Sequence, residues 1–405
     1  MSDDKSNLYS IPVEIFTHIC SFLDAKFIVD VLGKVCVKFL CILSDEGYWK
    51  VRMRCRWTHR YPDIVKDNED FDWEDACYKR ETHDNLWKSP HSKVKEVLFP
   101  SSHSSSVHTI SFIPGTQLCA SGSSDRTIII WQIDEMKNTE KPLAKDVVSV
   151  IISAAHSGWI WSLSADGSNL YSAGWDGCVK CWNLSTCPSI PTFCLWYDFT
   201  NLYAISIIYY KSPVISTYVY KNMLASGTWN KTVYLHDLRT STNVSYNNFH
   251  DGGVLSVVLD DQYLISSGED TTVVIYDRVA GRIYDRLKMP SAPLSMSYNY
   301  GILWIGDAIG NVYAVDPKLN NNKILVVNSY HQTKVNAIKH TLGSVITGSF
   351  DNRLTFHEPT LEGNFIGEYE LRTLSEIESI DVNDENVVAA TAGNQVYFLI
   401  PQEDS

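Results

Sequence analysis

Two hydrophobic periods divide the chain. Up to about residue 93 apolar residues recur at helical spacing, and beyond it they alternate in short runs broken by glycine and turn residues. Ser10 and Pro12 are expected to open a first helix carrying Ile15, Ile19 and Phe22–Leu23, since the first turn has no use for the N–H that proline lacks. Asp24 then caps a second helix with Phe27, Ile28, Val31, Leu32, Val35, Phe39 and Leu43 on one apolar face. Gly47 and Trp49 follow the turn Ser44–Asp45, and Trp73, Ala76, Cys77 and Arg80 again fall at helical spacing. The first alternating stretch is Val94 to Phe99.

The alternating part repeats itself. Gly122-Ser123-Ser124-Asp125 leads to Trp131, Gly174-Trp175-Asp176 to Trp182, Gly227-Thr228-Trp229-Asn230 to His236, Gly268-Glu269-Asp270 to Tyr276, and Gly348-Ser349-Phe350-Asp351 to His357. In each copy an aromatic or histidine stands six residues after the turn Asp or Asn. Two degenerate copies, Gly306 to Asp316 without a turn aspartate and Ala392–Gly393 to Ile400, bring the series to seven. Turn positions 125, 176, 230, 270, 309, 351 and 393 are spaced by 51, 54, 40, 39, 42 and 42 residues. The last four spacings match the period of roughly 40 to 45 residues of a four-stranded propeller blade.

A second marker runs through the repeat. His156, His250 and His331 each precede Asp176, Asp270 and Asp351 by 20 residues, and Ser172, Ser266 and Thr347 stand four residues before the aspartate. A carboxylate that accepts from a histidine and from its own turn, with the imidazole bonded onward to a hydroxyl, explains why these types recur together. Trp182 can add its indole N–H to that chain in the second copy. The histidines therefore read as structural rather than catalytic.

Seven such units over about residues 100–400 resemble a seven-bladed WD40 β-propeller. The chain departs from the family's Trp-Asp pair with Trp-Asn at 182–183, Tyr-Asp at 276–277 and Val-Asp at 315–316. The seventh unit reaches Ile400 with only three strands, so residues 94–99 are expected to supply the fourth and close the ring, removing a sheet edge open to aggregation.

Residues 8–52 resemble an F-box: Ile11–Pro12 with Glu14 and Ile15, then Ser21-Phe22-Leu23-Asp24, Val35–Cys36, and Ser44–Asp45 leading to Trp49, with Ile-Pro where Leu-Pro is commoner. Together the two resemblances imply a mainly β chain: an F-box domain over 1–52, a helical connector over 53–93 and the seven-bladed WD40 propeller over 94–405. They further imply a non-catalytic substrate receptor of an SCF cullin-RING ubiquitin ligase. The F-box would dock on the Skp adaptor, and through it on the cullin and RING subunits, by Ile11, Pro12, Glu14, Ile15, Ile19, Phe22 and Leu23. The propeller would capture a protein substrate for ubiquitination. The competing expectation is a WD40 scaffold that assembles a complex without a ubiquitin role.

Composition narrows the partners. With 34 basic and 47 acidic residues the chain carries a formal charge of −13 and no basic block, which disfavours nucleic acid and anionic membranes. No basic leader followed by an apolar stretch and no run of 18 apolar residues occurs, so an intracellular protein, cytoplasmic or nuclear, is expected. All ten cysteines lie in the first half and read as reduced thiols. Cys178 and Cys181 fall three apart on a strand and point to opposite faces, a poor pair for a shared zinc. Nucleotide-binding, metalloprotease, serine-hydrolase and kinase signatures are missing, no cofactor is implied, and the sequence offers no convergent titratable groups for an enzyme in the central channel.

Aromatic residues give the sharper signal. The residue before each turn aspartate reaches the propeller's top face, and there stand Trp175, Trp229 and Phe350. Inner-strand starts add Trp159 and Trp161 from blade two, Lys334 and Asn336 from blade six, and Glu376 and Glu378 from blade seven. Trp159, Trp161, Trp175, Trp229, Phe350 and Lys334 are thus the candidate substrate-binding residues, with the four tryptophans as an aromatic platform. The alternative for these tryptophans is packing against a long blade-three insertion, residues 186–222. Clustered top-face arginines of the phosphate-reading kind are lacking, since only Arg126 and Arg353 lie near these loops.

Overall fold

The computed structural model describes residues 11–57, 71–185, 204–240, 242–317, 325–327, 331–373 and 375–402. Ser10, Tyr61, Cys187, Cys194 and Trp196 lie outside them, as does residue 186–203 of the expected insertion.

Seven antiparallel sheets of four strands stand side by side in chain order, and their inner strands contact one another in a closed ring. The fold is a seven-bladed β-propeller. In six blades the strands run in sequence order, and in the seventh Val94–Phe99 pairs outside Gln395–Pro401, with Val97 opposite Phe398. The closing strand is buried where blades seven and one meet: Phe99 stacks on Trp131 at 5.0 Å, and Trp131 lies 5.9 Å from Phe398. Ile128-Ile129-Ile130 is buried on both faces between neighbouring blades, which is why that strand is a continuous apolar run rather than an alternating one.

Hydroxyls and one carboxylate on the inner strands stitch adjacent blades. Thr109 accepts from the Leu163 N–H at 2.9 Å, Ser162 from Thr217 at 3.0 Å, Ser164 from Val219 at 2.9 Å, and Asp381 from Phe112 at 2.8 Å. Strand edges buried at the ring's centre thereby keep their donors satisfied.

The expected insertion is reassigned. Ser206–Tyr209 is the outer strand of blade two and Val214–Tyr220 the inner strand of blade three. The missing turn aspartate of blade five is also present, displaced by two residues: fully buried Asp307 accepts from the Ile309 and Asn311 N–H groups and from the Tyr313 hydroxyl at 2.8 Å.

Five helices precede the propeller: α1 (Val13–Ser21), α2 (Ala25–Asp30), α3 (Val37–Leu43), α4 (Glu46–Arg56) and α5 (Trp73–Trp87). Pro12 stands at the N-cap of α1. The single helix expected after Asp24 is broken into α2, a short 3-10 turn over Leu32–Lys34, and α3. Cys36 is extended, and its sulfur accepts from the Phe39 N–H to cap α3. The break splits the apolar face: Ile28, Phe39 and Leu43 enter a core with Phe16, Trp49 and Met53, whereas Phe27, Val31 and Val35 stay exposed. Among the described residues no helix is long and apolar enough to cross a membrane.

Candidate functional site

The turns that carry the top face are held by hydrogen-bonded chains. In blade two His156 Nδ1 lies 3.0 Å from Asp176, His156 Nε2 lies 2.7 Å from the Ser172 hydroxyl, and Trp182 Nε1 donates to the same hydroxyl at 2.8 Å. Asp176 also accepts from the Ser157 and Cys178 N–H groups. Burial alone would push its carboxyl up, but the bonds and charge of His156 outweigh this and hold it below the usual carboxylate range. His250–Asp270–Ser266 and His331–Asp351–Thr347 repeat the arrangement in blades four and six.

Two further copies escape the 20-residue marker. His103 reaches Asp125 at 3.1 Å and Ser121 at 2.9 Å in blade one, from a histidine 22 residues before the aspartate. In blade three Tyr210, 20 residues before Asn230, fills the histidine's slot: its hydroxyl donates to Ser226 at 3.1 Å. Counting back from every turn residue for any aromatic donor, rather than for histidine alone, would have found both.

This scaffold brings four tryptophans together. Ring centroids lie 6.2 Å apart for Trp159 and Trp161, 6.2 Å for Trp159 and Trp175, 6.1 Å for Trp161 and Trp175, and 5.9 Å for Trp175 and Trp229. Trp159, Trp175 and Trp229 are 51%, 41% and 46% exposed, a large apolar area to leave in water. Gly158 makes the close approach possible, since a Cβ there would lie 2.8 Å from the Asp176 nitrogen. His108 of blade one, not among the sequence candidates, stacks on Trp161 at 4.4 Å and meets the Ser124 hydroxyl. Phe350 and Lys334 are not part of this cluster. They sit on blade six, with the Lys334 ammonium 4.2 Å from the Phe350 ring centroid.

Every inner strand carries a β-bulge at its second residue, beside the top turns. The bulged residue escapes the ladder and lines one end of the central channel, which encloses about 720 Å³. Trp161, Ile215, Leu255 and Leu294 make the mouth apolar on blades two to five, and Asn336, Glu378 and His108 make it polar on blades six, seven and one. Deeper in, Lys339 pairs with Asp381 at 2.6 Å near Tyr218, so the channel does hold convergent titratable groups, contrary to the sequence expectation. Asp381 is committed to Lys339 and to the Phe112 N–H, which makes the pair part of the seam between blades.

At the other end of the chain, α1 turns Phe16 and Cys20 inward and leaves Ile15 at 52% and Ile19 at 45% exposed, with Phe22 at 76% just beyond. Pro12 and Glu14 are exposed, whereas Ile11 and Leu23 are half-buried against the helical core. Val37 and Leu40 of α3 and Val51 of α4, which the sequence reading did not single out, are exposed as well.

The comparisons with known proteins match both halves of this geometry. The family model described as WD domain, G-beta repeat matches residues 94–132, 148–183 and 243–277. F-box/WD repeat-containing protein 9 is 29% identical from Bos taurus over 87% of this chain and 74% of the relative, and 29% identical from Homo sapiens over 88% and 75%. F-box/WD repeat-containing protein mec-15 of Caenorhabditis elegans is 26% identical over 67% of this chain and 65% of its own. The chain is an F-box/WD-repeat protein. The WD40 β-propeller domain of Doa1 shares its fold, with a TM-score of 0.61 at 15% identity over 77% of this chain and 97% of that one.

The F-box-like helices of this F-box/WD-repeat protein are fastened to its propeller. Arg52 of α4 binds Glu81 of α5 at 2.7 Å and the Cys20 carbonyl at 2.7 Å, and Glu81 also accepts from the Ala25 N–H at the start of α2. Farther along α5, His83 Nδ1 meets the Ser344 hydroxyl at 2.7 Å and Nε2 meets the Asn386 side-chain carbonyl. One neutral tautomer serves both, with Nε2–H donating and Nδ1 accepting, and burial lowers its pKa to about 4. Trp87, fully buried, stacks on Phe356 of blade six at 3.9 Å.

The remaining chemistry is modest. The eight described cysteines are free, with Cys178 and Cys181 both buried, and among the described residues no group of three or more His, Cys, Asp or Glu is placed to hold a metal ion.

Proposed function

We propose that this chain is the substrate-receptor subunit of an SCF-type ubiquitin ligase, its N-terminal helices binding the Skp adaptor and its propeller top face holding a protein substrate. The observation that carries the reading is the exposed apolar face of α1 and the residues after it, where Ile15, Ile19 and Phe22 point away from a core the same helices already fill. Single exposed apolar residues are ordinary, but a cluster this dense on so short a module marks a protein interface. Chemistry would come from proximity: a rigid mount presents a bound substrate's lysines to a conjugating enzyme carried by other subunits. The contacts of Arg52, His83 and Trp87 supply that rigidity, where a Gly/Ser linker would not.

The test is titration of the purified full chain with purified Skp adaptor by calorimetry. A stoichiometric complex is expected, weakened at least tenfold in Ile15→Asp/Phe22→Asp, since apolar anchors at an interface commonly carry above 1.4 kcal/mol. No complex with the unaltered chain would leave the scaffold reading in its place.

A further inference from the structure

We infer that the channel mouth and the tryptophans beside it form a receptor for a cationic side chain, an arginine or lysine of a partner polypeptide. The inference rests on the proposed role of the top face as the substrate-binding surface and specifies what that surface reads.

The rings come first. Trp159, Trp161 and Trp175 form a triangle with edges of 6.1 to 6.2 Å, their planes tilted by 41° to 55° from one another. A cation seated over the centre of that triangle lies within about 6 Å of all three centroids, the reach of cation–π attraction, for which indole is the strongest partner. Among the described residues no lysine or arginine of the chain stands over these rings. The same face shows what it does with a cation elsewhere, where Lys334 sits over Phe350.

An unmet donor points to a polypeptide as the carrier. Trp161 Nε1 is buried and has no hydrogen-bond partner among the described residues. An indole N–H can only donate, so the missing group is an acceptor, and a main-chain carbonyl beside an anchored side chain is one.

Charge selects the sign. Glu378 is the carboxylate of the mouth, one place around the ring from His108 and two from Trp161. It makes no hydrogen bond or ion pair among the described residues. Burial raises its pKa, nearby Lys334 offsets part of that, and Glu376 adds to it, so an incoming positive charge is welcome there. Glu269 is exposed next to Trp229 and extends the acidic border, on a chain of net charge −13. A phosphopeptide or acidic peptide would meet these carboxylates with repulsion.

Selection from a displayed library of random dodecapeptides on the immobilised full chain tests the idea. Basic residues should be enriched at one anchor position, and an arginine peptide so selected should bind at least tenfold more weakly when that arginine is replaced by citrulline. Glu378→Gln, with an unchanged thermal midpoint, should weaken the same peptide by about tenfold, or 1.4 kcal/mol. Peptides lost with Trp175→Ala/Trp229→Ala but lacking any basic anchor would overturn the cation receptor while leaving a substrate-binding top face intact. Selected peptides indifferent to those tryptophans, or enriched in acidic or phosphorylated residues, would overturn both the receptor and the placement of the substrate surface.

Discussion

Arg52 and Glu81 meet at 2.7 Å with side chains only 4% and 2% exposed, which makes them the buried joint between the N-terminal helices and the connector helix α5. Every oxygen of Glu81 is used, by Arg52 and by the Ala25 N–H. Removing one partner strands the other's charge in a dry site, a change that costs about 3 to 5 kcal/mol, whereas removing both is milder. Arg52→Ala should therefore destabilise more than Arg52→Met/Glu81→Leu, read as a shift in urea midpoint. Equal losses would mean that the pair is hydrated.

Gly343 is the point at which the propeller accepts α5. A Cβ there would lie 2.4 Å from the His83 ring and 2.7 Å from the Lys79 carbonyl. Gly343→Ala should push α5 off blade six and cost roughly 2 kcal/mol or more, the scale of overpacking in a tight site. Limited proteolysis should then cut between α5 and the propeller faster than in the unaltered chain. An unchanged digestion pattern would contradict the docking.

Acid sensitivity should begin well above the carboxylate range. Burial lowers His83, His236 and His357 to about 4 and His340 to about 3 from an ordinary 6.5. Such groups take up protons in the unfolded chain first, so their stabilising contribution is whole above pH 6.5 and is lost as pH falls toward 4. His83 alone contributes up to about 3 kcal/mol by this route. Denaturation midpoints measured from pH 7.5 to 4.5 should fall steadily, and His83→Gln should flatten the curve. A midpoint constant down to pH 4.5 would exclude buried neutral imidazoles.

The turn network and the aromatic cluster it supports separate by substitution. Asp176→Asn weakens bonds from His156, Ser157 and Cys178 and should cost about 1 to 3 kcal/mol. Because the Asp176 carboxyl is held below its ordinary 3.8, that contribution is present above pH 3.8 and disappears below it. Trp175→Ala, one residue away but 41% exposed, should cost under about 1 kcal/mol. Comparable losses in thermal unfolding would show that Trp175 is part of the core rather than of a surface.

What the sequence disclosed follows from which forces are local. The seven blades were legible because each repeats a glycine, a turn acid and a strand, and the order of strands in a propeller follows from chain order. The closing strand was legible from a deficit of one strand in the last unit. The Asp307 turn was not, because the carboxylate moved two positions while keeping its bonds. Breakage of the helix after Asp24 was hidden by an apolar pattern that α2 and α3 share in phase, with the extended Cys36 between them. Arg52 and Glu81 are 29 residues apart with no motif between them, so only the packed helices reveal the joint. The tryptophan cluster was legible from loop positions, but His108 and Glu378 reach the mouth through backbone bulges that leave no mark in residue type.

Affinity purification of three forms of the full chain, with retained proteins identified by mass spectrometry, tests the division of labour most directly. Ile15→Asp/Phe22→Asp should lose the Skp adaptor and keep the other retained proteins, and Trp175→Ala/Trp229→Ala should keep the adaptor and lose a subset of the others. Retention of the adaptor by the first variant, or identical protein sets from the second and the unaltered chain, would contradict the account.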